Sequence, residues 1–281
     1  MAAISALIAA LPTQHRFNTS DVFLAADSFT HTYTLCLTLA ALFSQASLVI
    51  NSVAGPGVDL LLTPRNIAPT VIVASADSAA KLRTQTSVGA TGLLKKLGFW
   101  LQSRALKAGR MPVDSVFGPQ KAALGSTPGK LRLLFVPEKA GIDTLALTSK
   151  DFCDLRIFTG SRVVYALTTA RVAGAVAQTM IYDYRMDDDN QSHFGLPLGS
   201  LEVKLVDKGD VKTTEERAKG EVSTFSILAR FRSLTCVRLW SLARLSQVER
   251  LNWAFSAPSG TITLWHIYSC ALFKELTCSN Q

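Results

Sequence analysis

The residues of this chain best suited to chemistry lie between Arg156 and Glu221. An apolar run ends on Gly160-Ser161-Arg162, and a polar, aromatic corner follows at Gln178-Thr179-Met180-Ile181-Tyr182-Asp183-Tyr184-Arg185. A glycine, having no Cβ, lets the backbone come close to a flat ligand. That chemistry is binding. The sequence suggests no Ser-His-Asp or Cys-His arrangement, and Cys36 and Cys153 sit in apolar segments as inert core thiols. The run Asp187-Asp188-Asp189 reads either as a metal site or as a solvated acidic loop. Asp183 and Arg185 read either as ligand-binding groups or as solvated turn residues.

The elements that must position these residues read as strand, glycine turn, helix, strand, loop and alternating strand. Leu155 to Thr159 is the strand leading in, and Leu167 to Ala177 is a helix of small residues. Leu201 to Asp207 alternates apolar and charged residues as a half-buried strand does. Ligand crevices in open α/β sheets lie outside the carboxyl ends of strands. Upstream, continuous apolar runs predict buried parallel strands at Val22–Ala26, Ser47–Ile50, Thr70–Ala74 and Leu131–Val136. Helices are predicted at Leu35–Phe43, Val58–Leu62, Asp77–Arg83 and Ser149–Cys153, the last capped by Ser149. This alternation predicts an α/β fold with a layered, mostly parallel sheet and flanking helices.

Residues 84–129 interrupt the pattern as a long loop. Within it, Leu93 to Ala108 is an amphipathic basic helix. It reads either as a peripheral membrane contact or as a surface helix whose Lys and Arg stems cover its apolar residues. Gly109 to Gly129 reads as a linker.

An apolar content of 48% over 281 residues supplies a real core and argues against disorder. The net charge of +8 is spread along the chain, and the reading takes no nucleic-acid partner. Five cysteines without repeated spacing point to reduced, intracellular thiols, in a protein either cytoplasmic or peripheral to an internal membrane. The uncharged stretch from Thr32 to Val58 is broken by Asn51 and Gly55-Pro56-Gly57, so it reads as a buried helix and strand rather than a membrane span.

The ordered motifs resemble those of the adenylate-forming (AMP-binding) superfamily, and in particular fungal long-chain acyl-CoA-synthetase-like proteins. Gly160-Ser161-Arg162 stands at that family's Gly-rich adenine loop, and Gln178 to Tyr184 at its Tyr-Gly-x-Thr-Glu motif. Phe194-Gly195-Leu196-Pro197 through Asp207, and then Gly220-Glu221, match the segments that follow. The resemblance implies ATP-dependent activation of a fatty or other carboxylic acid to an acyl-adenylate, then to acyl-CoA. ATP or AMP, Mg²⁺ and coenzyme A are the implied cofactors. It implies a nucleotide held by Gly160, Ser161, Arg162, Gln178, Thr179 and Tyr182, and Asp183 in place of the motif's glutamate. Arg185 would hold phosphate, His193 would stack near the adenine or lie in a surface loop, and His31 would help wall the acyl pocket. The alternative for His31 is a helix-start histidine satisfied by neighbouring Thr hydroxyls.

Residues 1–221 therefore read as a partial AMP-binding domain, incomplete at both ends. The phosphate loop is expected to precede the chain, and the corner Tyr182-Asp183-Tyr184-Arg185 lacks the family's glycine, threonine and glutamate. Residues 222–281 read as an atypical tail, from a lost reading frame or splice boundary, or as a helical extension over Leu228–Leu251. The functional expectation is an impaired acyl-CoA-synthetase-like protein; the alternative is a non-catalytic interaction or peripheral membrane protein.

Overall fold

The computed structural model describes residues 1–88, 93–111, 124–127, 130–140, 147–184, 192–207, 213, 221–226, 235–236 and 261–262. Arg185, the Asp187–Asp189 run, most of the predicted linker and most of the tail lie outside them.

The chain runs α1 (Ala2–Ala9), β1 (Val22–Ala25), α2 (Thr32–Phe43), β2 (Ser47–Ile50), β3 (Val71–Val73), α3 (Ala76–Val88), α4 (Leu93–Lys107) and β4 (Leu133–Lys139). It continues through α5 (Ser149–Thr159), β5 (Arg162–Thr168), β6 (Ala177–Gln178), β7 (Leu196–Pro197), β8 (Leu201–Val206) and β9 (Glu221–Ser226). Two short strands follow, β10 (Thr235–Cys236) and β11 (Thr261–Ile262). The main sheet has the order β2-β1-β3-β4-β5-β6-β7. Its first five strands are parallel, and β6 and β7 are antiparallel additions. A second, antiparallel sheet has the order β10-β9-β8-β11.

Alternation along each parallel strand divides the core into two layers. Leu24, Ile72, Leu134, Val163 and Tyr165 face α3 and α5, against Ala79, Leu82, Phe152 and Leu155. Phe23, Val71, Val73, Phe135 and Val164 face α1 and α2, against Leu7, Leu11, Tyr33 and Leu37. Both faces are covered, which is why these strands read as unbroken apolar runs. Each fully buried Leu or Phe contributes about 1.5–3 kcal/mol of transfer free energy.

The predicted order at the centre needs correction. Leu155–Thr159 is not a strand but the second half of α5. That helix begins at Ser149 as expected, but its cap is Thr148, not Ser149. Thr148 Oγ1 accepts from the Asp151 N–H at 3.2 Å, and the Asp151 carboxylate accepts from the Thr148 N–H at 2.7 Å. This reciprocal cap satisfies two N–H groups that the helix cannot pair internally. The helix ends at Gly160, whose φ of 64° is the left-handed conformation that stops helices and that glycine adopts freely. Leu167–Ala177, predicted as a helix, is the end of β5, a turn and the start of β6. Val58–Leu62 forms turns rather than a helix, and α3 runs on to Val88 through the start of the predicted loop.

Candidate functional site

The chain leaves β1 through α2 to β2 on one side, then returns to β3 on the other side of β1. The flanking helix changes face at the same point, since α2 covers one layer and α3 and α5 the other. Such a reversal opens a crevice at the carboxyl ends of the two strands where it occurs. Here those ends are Ala25-Ala26-Asp27 and Val73-Ala74-Ser75.

The turn after β1 is tightly held. The N–H groups of Ala26 and Asp27 both donate to the Val73 carbonyl, at 2.9 and 3.2 Å. Asp27 is fully buried. Its Oδ2 lies 2.6 Å from His31 Nδ1 and accepts from Thr34 Oγ1 at 2.9 Å. A carboxylate only accepts, so in the neutral ring the proton sits on Nδ1, leaving Nε2 as the ring's remaining acceptor. The Thr hydroxyls therefore do not satisfy His31: its partner is Asp27, four residues earlier. Sequence reasoning missed Asp27 as a site residue. The signal was present, an aspartate closing an apolar run four residues ahead of a histidine.

The loop after β5 packs over the same edge. Thr32 Oγ1 donates to the Val172 carbonyl at 2.8 Å. Beneath it, Tyr33 Oη donates to Gln178 Oε1 at 3.2 Å, and burial pushes the Tyr33 hydroxyl's pKa up. Gln178 pairs with Ala166, toward the carboxyl end of β5. Thr179 extends that pairing: its N–H donates to the Tyr165 carbonyl, and its Oγ1 accepts from the Tyr165 N–H, both at 2.9 Å. Its side chain is thereby spent on the sheet.

Gly160, Ser161, Arg162 and Tyr182 gather at the opposite edge. Gly160, Ser161 and Arg162 precede β5 or open it, and the strand's six steps to Thr168 span about 20 Å. Because β6 runs antiparallel to β5, the chain after Gln178 returns to that amino-terminal edge. Tyr182 meets Arg162 there, with the guanidinium 5.6 Å from the ring centroid. His15 lies 5.5 Å from the same ring, edge on, and Gln14 Nε2 donates to its hydroxyl. Burial, and then the charges of Arg162 and Arg132, hold the His15 pKa below its ordinary value. Ser161 Oγ shares a 2.7 Å hydrogen bond with Thr159 Oγ1. Arg162 and Tyr182 thus meet in direct contact, away from His31.

Asp183 belongs to a third setting. Its carbonyl accepts from Arg156 Nη2 at 2.8 Å, and its carboxylate lies 3.5 Å from His193 Nε2. Arg156 is buried, which lowers its pKa, and sits 5.2 Å from the Tyr184 ring centroid. His193 is buried too, not a surface loop residue. With Phe152, Tyr165 and Thr179 these residues line a recess of about 260 Å³, solvent at its mouth included. Its enclosed space is only about 10 Å³, room for about one water molecule, against the 300–1,000 Å³ of ordinary small-molecule pockets. Phe194, next to His193, stacks on Tyr165 at 4.6 Å.

Among the described residues no group of three His, Cys, Asp or Glu side chains is placed to hold a metal ion. Asp27 Oδ2 is engaged by His31 and Thr34, and the Asp183 carboxylate lies 3.5 Å from His193 Nε2. Cys36 and Cys153 are free and buried, and burial pushes both thiols up, as expected of inert core cysteines. No helix among the described residues is long and apolar enough to cross a membrane.

No family model and no curated protein matches the chain. Among solved structures it is similar to the N-terminal domain of FACL13 from Mycobacterium tuberculosis, at 12% identity and a TM-score of 0.49, over 80% of this chain and 44% of that one. It is similar to O-succinylbenzoate coenzyme A synthetase from Bacillus subtilis in complex with AMP, at 13% identity and a TM-score of 0.46, over 80% and 44%. A third is ATP-bound MatB from Rhodopseudomonas palustris, at 15% identity and a TM-score of 0.47, over 80% and 35%. The chain thus spans less than half the length of these structures.

Proposed function

We propose that the chain is the sheet core of an adenylate-forming, acyl-CoA-synthetase-like protein, in a catalytically impaired form. The parent activity would be ATP-dependent activation of a fatty or other carboxylic acid to its acyl-adenylate, and then to acyl-CoA. The observation that carries this reading is the ordered motif series threaded on a doubly wound sheet. The His31 turn ends β1 at the reversal point, the Tyr182 corner follows β6, and the Phe194-Gly195-Leu196-Pro197 segment leads into the alternating strand β8.

On the acid side, His31 is the proposed substrate contact. Asp27 fixes the tautomer in which Nε2 accepts, a geometry suited to a protonated acid or a hydroxyl rather than a bare carboxylate. On the nucleotide side, Gly160, Ser161, Arg162, Gln178, Thr179, Tyr182 and Asp183 remain the proposed residues by resemblance. They are divided among three places, the two ends of β5 and the recess beside Arg156 and His193. No step of ATP activation, and no Mg²⁺ role, is therefore assigned to them. Loss of the glycine, threonine and glutamate from the central motif fits impaired catalysis.

Calorimetric titration of the full chain with AMP and with a long-chain acyl-adenylate analogue tests this. Binding of the analogue that weakens in His31→Ala is expected. Loss of AMP heat in both Tyr182→Ala and Gly160→Trp would assign the nucleotide to the amino-terminal edge. Absence of heat with either ligand sinks the reading.

A further inference from the structure

The basic helix α4 is apolar on two opposite faces. At 100° per residue, Phe99 and Leu106 lie about 180° from the arc holding Leu97, Trp100, Leu101 and Arg104. The inner face packs on α5, where Leu106 meets Cys153, Ile157 and Tyr184 with Phe99 and Met111 against them. The outer face is bare: Leu97 is 53% exposed, Trp100 54% and Leu101 43%. Even with Arg104 reaching over the Trp100 ring, all three side chains stay more than two-fifths exposed, side by side on one face.

Charge says what would cover it. From Leu93 to Lys107 the helix carries Lys95, Lys96, Arg104 and Lys107 and no acidic residue. Lys96, Arg104 and Lys107 are exposed, and Arg104 lies over the Trp100 ring at 5.5 Å. Leucine and tryptophan flanked by exposed cations, on a helix anchored through its other face, match the chemistry of an anionic lipid interface. The apolar side chains enter the headgroup boundary and the cations meet the phosphates. A protein partner would have to bring an acidic rim to an apolar groove; an anionic bilayer supplies both features in one flat surface.

We propose that the outer face of α4 docks the protein on an anionic phospholipid surface. The inference rests on α4 alone and stands or falls apart from any nucleotide site.

The test is sedimentation of the full chain with phosphatidylcholine vesicles, with and without phosphatidylserine, at low and high salt. Binding is expected only with phosphatidylserine, falling as salt rises. Arg104→Gln and Lys107→Gln should each lower the partition coefficient about fivefold, the equivalent of about 1 kcal/mol per basic residue near an anionic surface. Leu97→Ser with Trp100→Ser should abolish binding. In a chain with Trp240, Trp253 and Trp265 changed to Phe, brominated lipid should quench Trp100 fluorescence; this readout needs no change on α4. No binding to either vesicle, equal binding to both, binding that survives the double substitution, or an unquenched Trp100 overturns the proposal. So does a dimer in lipid-free gel filtration that the double substitution dissociates, since a second copy would then cover the face.

Discussion

Nδ1 of His31 lies 2.6 Å from Oδ2 of the fully buried Asp27, four residues apart at the carboxyl end of β1. The pair joins the sheet's reversal point to the start of α2, and it determines which ring nitrogen of His31 remains an acceptor.

This pair predicts a tautomer. Nitrogen-15 shifts of the neutral His31 ring in the wild-type chain should report protonated Nδ1. Asp27→Ala removes that acceptor and should shift the population toward protonated Nε2. His31→Ala leaves the Asp27 carboxylate buried with only Thr34 as donor, and should cost about 1–3 kcal/mol in urea unfolding, or more because the group is charged.

A second prediction concerns acid stability. Arg132 Nε donates to Asp21 Oδ1 at 2.8 Å, and its other nitrogens reach the carbonyls of His15 and Arg16 at 2.9 and 3.0 Å. Burial raises the Asp21 pKa, but hydrogen bonds from Arg132 and Thr70 outweigh it, and the net shift is downward. A depressed carboxyl pKa stabilises the fold fully above the unfolded value of about 3.9 and loses that contribution as pH falls toward the folded value. Arg132→Ala should therefore cost about 3–5 kcal/mol at neutral pH, because Asp21 stays buried without its partner. The deficit against wild type should narrow below about pH 4. A deficit that is the same at neutral and acid pH would contradict this account.

A third concerns Gly195, whose φ is +73° and which packs against the predicted corner. A Cβ there would meet the Gln178 carbonyl oxygen at 2.4 Å and Thr179 Cα at 2.6 Å, both backbone. Gly57 has the same φ of +73° and open space around it. Gly57→Ala should cost only the left-handed conformation, about 1–2 kcal/mol. Gly195→Ala should cost distinctly more, because β6 and β7 must separate. Thermal melts of the two variants compare directly, and equal losses would exclude close packing as the reason for Gly195.

Several elements were legible before any coordinates. Val22–Ala25, Ser47–Ile50 and Val71–Val73 stand within or on the strands read from apolar runs, and the basic helix within a residue of its expected end. Leu155–Thr159 and Leu167–Ala177 were misread for one physical reason. A short apolar run carries no period long enough to separate a buried strand from a buried helix turn. What separates them is local: the Thr148–Asp151 cap starts a helix, and the left-handed Gly160 stops it.

By itself, the chain's order of residues determined the layered α/β class and which side chains are too apolar to leave the core. It also determined the charge of α4, since composition and hydrophobic runs are properties of neighbours in sequence. Only the tertiary structure decided that Arg162 and Tyr182 touch at one edge of the sheet while His31 closes the other. Those placements depend on the direction in which β6 returns along β5 and on the reversal between β1 and β3. Both are set by long-range strand pairing, which no local pattern encodes.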